Sequence, residues 1–378
     1  MKYWRGYLVA AILAVCTWGF REFAQTHSKL VDMIYPYVTR LVQNYMAGWS
    51  GGVEFCVWQA VLLALAAVAV ATIVLMIIFR WNPIQWFGWI AAAVSLIVLL
   101  HTGIFGMNEF AGPIAEDIRL AQAECDDAAL EAAAVYYRDK ANELSGQVSG
   151  NAADLATLNE QAVSGFENLV YDYYFSVFAG STASVKELDM AQQFTNRGQM
   201  GYTVAITGEA AINPEAPSFM QPYAVSREMC YRMSIASVRD KHFGAFLACQ
   251  ANDSVEFQYA GYLMAYRYCL NALPQTMAST VNAQANTKVR NDVETWDSFV
   301  APAEKLSAEK AEKDGLKDET DRQIADLLIR WHYQEVVLPS ITEPEVTFDP
   351  MDETQVDLTG LPHGPAPTEA TEPTEAAA

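Results

Sequence analysis

Residues 55–79 read FCVWQAVLLALAAVAVATIVLMIIF, a run of 25 residues without one charged side chain. A helix needs about 20 consecutive apolar residues to cross the hydrocarbon core of a bilayer. A buried strand or a helix in a soluble core is rarely this long and this uniformly apolar. The run therefore predicts a membrane-spanning helix and places the chain among membrane proteins.

Two further apolar stretches flank this run. Residues 85–106 begin with Trp86 and Trp89, which is typical of the aromatic belt at a membrane surface, and they predict a further span. Residues 3–20 predict the first span, since Phe20 offers no small-residue cleavage site of the kind that ends a signal peptide. We therefore predict three transmembrane helices in a multi-pass protein.

The charged residues divide the chain into two parts. Of 45 Asp and Glu and 24 Lys and Arg residues, only three acids and six bases precede residue 106. We predict a membrane region over residues 1–106 and an acidic soluble domain over 107–340. Residues 341–378 are acidic and rich in Pro, Thr and Ala, a composition that predicts a disordered tail. Such acidity argues against nucleic acid as a partner.

The soluble domain is predicted to be mostly helical, so the fold class is mainly α. Periodic apolar residues predict helices over about 121–141, 158–178, 243–273, 279–299 and 307–337. The aromatic side chains of 243–273 are typical of a core rather than a binding surface. Residues 198–207 alternate in polarity and predict a short strand or extended rim. Cys125, Cys230, Cys249 and Cys269 fit either buried thiols or disulfides.

Arg227-Glu228-Met229-Cys230-Tyr231 has the spacing of the HExxH zinc motif. In that motif two histidines one helical turn apart bind Zn²⁺, and the glutamate handles the proton of the metal-bound water. Here Arg227 and Tyr231 stand at the two ligand positions. An arginine keeps its proton in a protein and has no lone pair for a metal. Five residues carry little information alone, so their surroundings decide how they are interpreted.

The surroundings resemble a family of uncharacterised bacterial membrane proteins with a zincin-like extramembrane domain. The pattern of that family is PFxxxHExxH, followed nine positions later by an acidic residue in a helix of the type DEANFxAYLAC. This chain reads PYAVSREMCY over 222–231 and DKHFGAFLAC over 240–249. Its TGEAAIN over 207–213 is similar to EANxN, and its YAGYL over 259–263 is similar to YSGYL.

The resemblance implies that Arg227, Tyr231 and Asp240 stand at three former metal positions, all of them altered, with Glu228 as a vestigial general base. It also implies a substrate rim over 207–213 that includes Glu209 and Asn213. We therefore predict no metal and no cofactor. Zinc would enter only if other ligands or a partner subunit completed the site.

Two arrangements of the altered site are open. In the first, Arg227 replaces the lost cation and donates to Asp240 and to Glu228, while Tyr231 donates its hydroxyl. In the second, these are ordinary surface residues, and Glu228 pairs with Arg232 one turn away. Cys230 and His242 lie nearby, but each points from a different helix face and neither completes a ligand set.

Two functions are also open. The first is a membrane-anchored, non-catalytic pseudo-metallopeptidase that binds a peptide or membrane-protein partner or regulates a membrane assembly. The second is an active membrane-bound zinc peptidase with atypical ligands or a partner subunit. In both, the lipid bilayer is a partner. The resemblance implies the plasma membrane of a bacterium. Lys2, Arg5 and Arg80 lie in short flanks on one side and Arg21, Lys29 and Arg40 in a longer loop on the other, which favours an extracytoplasmic soluble domain.

Overall fold

The computed structural model describes residues 4–148, 153–314 and 320–342. The predicted tail over 341–378 lies almost wholly outside these ranges. The mainly α fold is confirmed. In chain order the helices are α1 (Arg5–Thr26), α2 (Ser28–Ser50), α3 (Val57–Ile78), α4 (Pro83–Ile104), α5 (Ile114–Asp117), α6 (Asp127–Ser145), α7 (Leu155–Tyr171), α8 (Ala191–Thr195), α9 (Gln221–Arg232), α10 (Val238–Gln250), α11 (Val255–Ala272), α12 (Gln275–Ala283), α13 (Thr287–Lys313), α14 (Thr320–His332) and α15 (Leu338–Thr342).

Three of these helices, α1, α3 and α4, are long and apolar enough to cross a membrane. They are the three predicted spans, and we call them the span helices. α1 and α4 pack side by side and run in the same direction. At one end a Cβ on Gly6 would lie 2.4 Å from the carbonyl carbon of Gly88, so the two backbones meet only because both residues are glycine. At the other end Arg21 pairs with Glu109 at 3.1 Å.

The segment between the first two spans forms a helix of 23 residues, α2, where the sequence suggested only a connecting loop. The backbone breaks at His27 (φ −116°, ψ 40°), which separates α2 from α1. One face of α2 binds the soluble domain through polar side chains. Arg40 Nη1 donates to the carbonyl oxygen of Ser176 at 2.8 Å, and Gln43 Nε2 donates to that of Ala205 at 2.8 Å.

A small sheet joins the membrane region to the helical domain. It has three strands, β1 (Lys186–Glu187), β2 (Gly201–Val204) and β3 (Glu209–Ile212), in the order β1-β3-β2. β1 pairs with β3 in parallel and β2 pairs with β3 in antiparallel fashion, with Gly201 opposite Ile212 and Val204 opposite Glu209. β2 lies in the predicted extended segment. β3 is the central strand, so both of its edges are paired.

The core of the soluble domain is built mainly from α6, α7, α9, α10, α11 and α14. The aromatic residues of α11 are buried, which confirms their prediction as core: Phe257, Tyr259, Tyr262, Tyr266 and Tyr268. The helix predicted over 243–273 is two helices, α10 and α11. They separate at Asn252, whose Oδ1 accepts from the backbone N–H of Ser254 at 2.8 Å and whose Nδ2 donates to the carbonyl of Gln161 at 2.8 Å.

Candidate functional site

Glu228 lies on α9 against the edge strand β2. Its side chain is buried, and its Oε2 accepts from Thr203 Oγ1 at 2.7 Å. The strand comes this close because residue 201 is glycine: a Cβ there would lie 2.9 Å from Cγ of Glu228. The carboxylate is therefore held between a helix and a strand, in a space that excludes most water.

Arg227 neutralises this buried carboxylate. Its Nη1 donates to Oε1 of Glu228, and its side chain is only 13% exposed. The alternative pair does not form, because Arg232 donates from Nη2 to the carbonyl oxygen of Ala183 instead. Arg227, which directly precedes Glu228, thus balances its negative charge, and Arg232, one turn away, does not. Arg227 Nε is buried and has no hydrogen-bond partner among the described residues.

Asp240 does not join Arg227, and the expected pair between these two residues is wrong. Asp240 Oδ1 accepts from Arg239 Nε at 2.8 Å, and Oδ2 lies 3.5 Å from the backbone N of Ile114. The residue sits in the first turn of α10, which is capped by Ser237, and this places its carboxylate towards α5. It lines a small cavity of about 80 Å³, whereas Arg227 lines a different one.

Tyr231 makes its contacts through its ring. The ring stacks on Phe105, the residue that follows α4, with centroids 4.1 Å apart and planes at 21°. On the described residues we find no hydrogen bond from its hydroxyl, so the expected donation into the Glu228 cluster is not seen. The ammonium of Lys241 lies 5.1 Å from the centroid of the Tyr231 ring, a cation–π contact. Tyr231 thus connects α9 to the residue that directly follows a span helix.

Lys241, which is half-buried, and His242, which is buried, lie beside this cluster. Burial, together with the nearby Arg227, lowers the pKa of Lys241 to about 8. Burial also lowers the pKa of His242 well below its ordinary value, so the ring is neutral near pH 7. Its Nδ1 lies 3.0 Å from the hydroxyl of Tyr223 and 2.8 Å from that of Tyr268. His242 is a hydrogen-bonded core residue, as expected of a lone histidine on such a helix.

The two predicted rim residues have structural partners. Glu209 accepts from the backbone N–H groups of Val57 at 2.8 Å and Trp58 at 2.9 Å, the first two residues of α3. Lys186 Nζ donates to Glu209 Oε1 at 2.7 Å. The carboxylate therefore caps a span helix, where the helix dipole favours a negative charge.

Asn213 is also fully buried and has structural partners. Its Nδ2 donates to Thr195 Oγ1 at 2.9 Å and its Oδ1 accepts from the N–H of Glu215 at 3.0 Å. Since β3 is paired on both edges, residues 207–213 do not present an open strand edge. The outer strands of the sheet are β1 and β2, and β2 is the one that lies beside Glu228.

Three residues of this region were not anticipated from sequence: Phe105, Lys186 and Lys241. Lys241 directly follows Asp240 in the segment 240–249 that resembles the family pattern, so its positive charge beside the site was visible in the sequence. Phe105 and Lys186 carry no local signal, because the groups that they contact lie far away in the chain.

The donor set at the motif does not fit zinc. Zinc sites in proteins are built from imidazole, thiolate and carboxylate ligands. Here Arg227 occupies one carboxylate oxygen of Glu228, and the Tyr231 ring is packed face to face on another ring. Within residues 4–148, 153–314 and 320–342, no group of three His, Cys, Asp or Glu side chains lies close enough to hold a metal ion.

Two neighbouring cavities lie along the segment that leads into β2. One, of about 190 Å³, is lined by Arg227, Arg267 and residues 198–200. The other, of about 480 Å³, is lined by Phe194, Tyr202 and Leu306 among others. Gln199 lines both cavities. We call the two together the β2 cleft; its far wall is formed by α13.

No curated protein and no solved structure matches the chain. A family described as "Protein of unknown function (DUF3810)" matches residues 31–314, from the first turn of α2 to the end of α13. This range holds most of the membrane region, the sheet and all residues of the candidate site. The chain belongs to the DUF3810 family.

Proposed function

We propose that the chain is a membrane-anchored, non-catalytic pseudo-metallopeptidase that works by binding or regulation. The observation that carries this proposal is the state of Glu228. One carboxylate oxygen is bound by Arg227 and the other by Thr203. A general base must have an oxygen available for the proton that it abstracts, and this carboxylate has both oxygens engaged beside a fixed positive charge.

The β2 cleft supports binding of an extended peptide. β2 is an edge strand, and a peptide can add to such an edge through main-chain hydrogen bonds. Arg227 and Arg267 line one end of the cleft, and Tyr202 and Leu306, each about half exposed or more, line the other. A peptide with an apolar side chain would meet the end formed by Tyr202 and Leu306, whereas Arg227 and Arg267 already pair with carboxylates of the chain. Such a peptide would be held beside Glu228 without being cut.

The first experiment measures zinc and peptidase activity in the purified full-length chain. We expect less than stoichiometric zinc by mass spectrometry and no hydrolysis of a peptide library. The double variant Arg227→His/Tyr231→His, with Glu228 kept, then tests the zincin-like ancestry, which predicts a gain of zinc binding; Asp240 is left unaltered because its carboxylate faces α5. Stoichiometric zinc in the unaltered protein, or its loss with a chelator accompanied by loss of hydrolysis, would favour the alternative of an active zinc peptidase.

A second experiment tests the cleft. A photo-crosslinking amino acid at Tyr202, carried by the full chain in its membrane, should capture peptides from the same library. The matched control places it at Tyr174, which is 84% exposed and lies outside the cleft. Equal capture at both positions would contradict peptide binding at β2.

We also propose that the span helices cross the plasma membrane of a bacterium and leave the soluble domain outside. Arg5 and Arg80 lie at the span-helix ends that are remote from the domain. The positive-inside rule assigns helix ends that carry Lys or Arg to the cytoplasmic side. A membrane-impermeant thiol reagent added to whole cells should label a Tyr174→Cys variant. Labelling only after the cells are opened would reverse the orientation.

A further inference from the structure

The amphipathic pattern of α2 is inverted relative to that of a helix on a soluble protein. Its buried face is mostly polar: Thr39, Arg40, Gln43 and Ser50 are each at most 9% exposed, beside the buried Val31 and Ala47. Its exposed face is apolar and follows helical spacing through Leu30, Met33, Ile34, Tyr37, Val38, Leu41, Tyr45 and Trp49, each at least 42% exposed. Eight large apolar side chains in one stripe form a patch that a soluble surface rarely leaves in water.

Both ends of α2 are fixed at the ends of span helices. A single residue, His27, separates the first residue of α2 from the end of α1. At its other end, Lys186 Nζ donates to the carbonyl oxygens of Ser50 at 2.9 Å and Phe55 at 2.8 Å. The same ammonium binds Glu209, the carboxylate that caps the start of α3. A helix of 23 residues is roughly 34 Å long, so α2 connects two span ends over that distance.

Through the contacts of its polar face, α2 packs against the soluble domain and against the end of α4. Tyr35 donates to the carbonyl oxygen of Gly103 at 3.0 Å, at the domain end of α4. Gly208, in the turn of the sheet, would place a Cβ 2.7 Å from Cβ of Met46, so the sheet rests directly on α2. The domain thus covers one side of the helix. The opposite, apolar side is left exposed by the domain.

We propose that α2 lies in the plane of the membrane surface and buries its apolar stripe at the boundary between lipid headgroups and acyl chains. This inference goes beyond the proposed function and requires that the span helices cross the bilayer. The occupant of the stripe is lipid, for three reasons. Both helix ends are tied to span ends on one membrane face; Tyr37, Tyr45 and Trp49 belong to the residue types that settle at membrane interfaces; and the stripe carries no acid to repel anionic headgroups.

Site-directed spin labelling of the full chain in liposomes of zwitterionic and anionic lipid tests this assignment. Cys16→Ser and Cys125→Ser remove the two cysteines that are not buried. Labels are then attached in separate variants to Leu41→Cys and Tyr45→Cys on the stripe. Ile12→Cys on α1, which is 55% exposed, reports the span, and Tyr174→Cys reports the aqueous domain surface. The measurement compares collisions with oxygen, which dissolves in lipid, and with a water-soluble nickel chelate.

We expect the labels at 41 and 45 to collide several-fold more with oxygen than with the chelate, at a depth between those at 12 and 174. If the label at 12 is in lipid but those at 41 and 45 match 174, the inference is overturned and the anchoring stands. If the label at 12 is itself in water, the membrane crossing fails. Dipolar broadening between copies at 41 and 45, with neither reagent reaching them, would show that a second copy covers the stripe and would also overturn the inference.

Discussion

The ring of Tyr231 stacks on the ring of Phe105, with centroids 4.1 Å apart and planes at 21°. Phe105 is 1% exposed and directly follows a span helix, whereas Tyr231 is in the last turn of α9. The contact therefore joins the helix that carries Glu228 to the membrane region. A position that holds a metal ligand in the HExxH motif serves here as an aromatic contact.

If the ring rather than the hydroxyl of Tyr231 matters, Tyr231→Phe should change the free energy of unfolding by less than about 0.5 kcal/mol. Tyr231→Ala should lower it by roughly 3 kcal/mol, as expected when a large aromatic side chain is removed from a packed site. Thermal unfolding of the full chain in detergent, followed by circular dichroism, measures both. An equal loss in the two variants would mean that the hydroxyl has a partner.

Arg227→Met should destabilise the fold by about 3–5 kcal/mol, because it leaves the carboxylate of Glu228 buried without its cation. The double variant Arg227→Met/Glu228→Gln should recover most of that loss, since no buried charge remains. Lys140→Met is the control, because Lys140 and its partner Glu143 both have exposed side chains. A loss below about 1 kcal/mol in the single variant would argue that Glu228 is not charged or not buried.

Lys241 should make stability depend on pH. Its pKa is lowered to about 8 in the folded chain from 10.5, so between these values the unfolded chain binds more protons than the folded chain. Stability therefore rises with pH across this window. From pH 8 to 9 the free energy of unfolding of the natural protein should gain about 1 kcal/mol relative to Lys241→Met. The difference between the two proteins removes the titration of thiols and phenols that both share. A flat difference would contradict the lowered pKa.

Glu209→Gln should cost about 3 kcal/mol, because it leaves the ammonium of Lys186 buried without a countercharge and weakens the cap on α3. The side chain of Glu209 is 0% exposed. The matched control is Glu143→Gln, which removes an exposed pair with Lys140 and should change stability by less than about 0.5 kcal/mol. Similar values for the two variants would show that the Glu209 cluster does not hold the domain to α3.

Gly208→Ala should detach the sheet from α2. Gly208 has a φ of +66°, which an L side chain rarely adopts, and its Cβ would lie 2.6 Å from the backbone N of Ala47. We expect a loss of roughly 2–3 kcal/mol from the strain and the overlap. Gly146→Ala is the control, since a Cβ there meets nothing within 4 Å and its φ is −81°. Protease cleavage near residue 208 should increase only in the first variant.

The span helices were the most predictable part of the fold, since length and apolarity alone identify them. The predicted span over residues 55–79 exceeds α3 by two residues at its start and by one at its end. α1 extends to Thr26, beyond the predicted span boundary at residue 20, because a charged residue such as Arg21 ends an apolar run but does not end a helix. α2 was not predicted, although its apolar residues from Leu30 to Trp49 follow helical spacing. Pro36 stands inside the segment, and an internal proline usually ends or kinks a helix.

The candidate site was predictable in its position but not in its pairing. The spacing of 227, 228 and 231 on one helix follows from sequence, and so does the need of Glu228 for a cation. The direction of the Asp240 carboxylate depends on its contacts with α5 and Arg239. No local sequence pattern encodes that direction. The role of Glu209 depends on backbone groups about 150 positions earlier in the chain, a relationship that only the folded molecule reveals.

The attachment of one folded body to two separate span ends has a mechanical consequence. Glu209 ties the start of α3 to the domain, and Phe105 ties the end of α4 to it through Tyr231. On that side of a bilayer, the distance between these two helices would then be set by the stiffness of a protein core rather than by lateral pressure among lipids. The contact through which α9 would meet a change in this distance is the one between Tyr231 and Phe105.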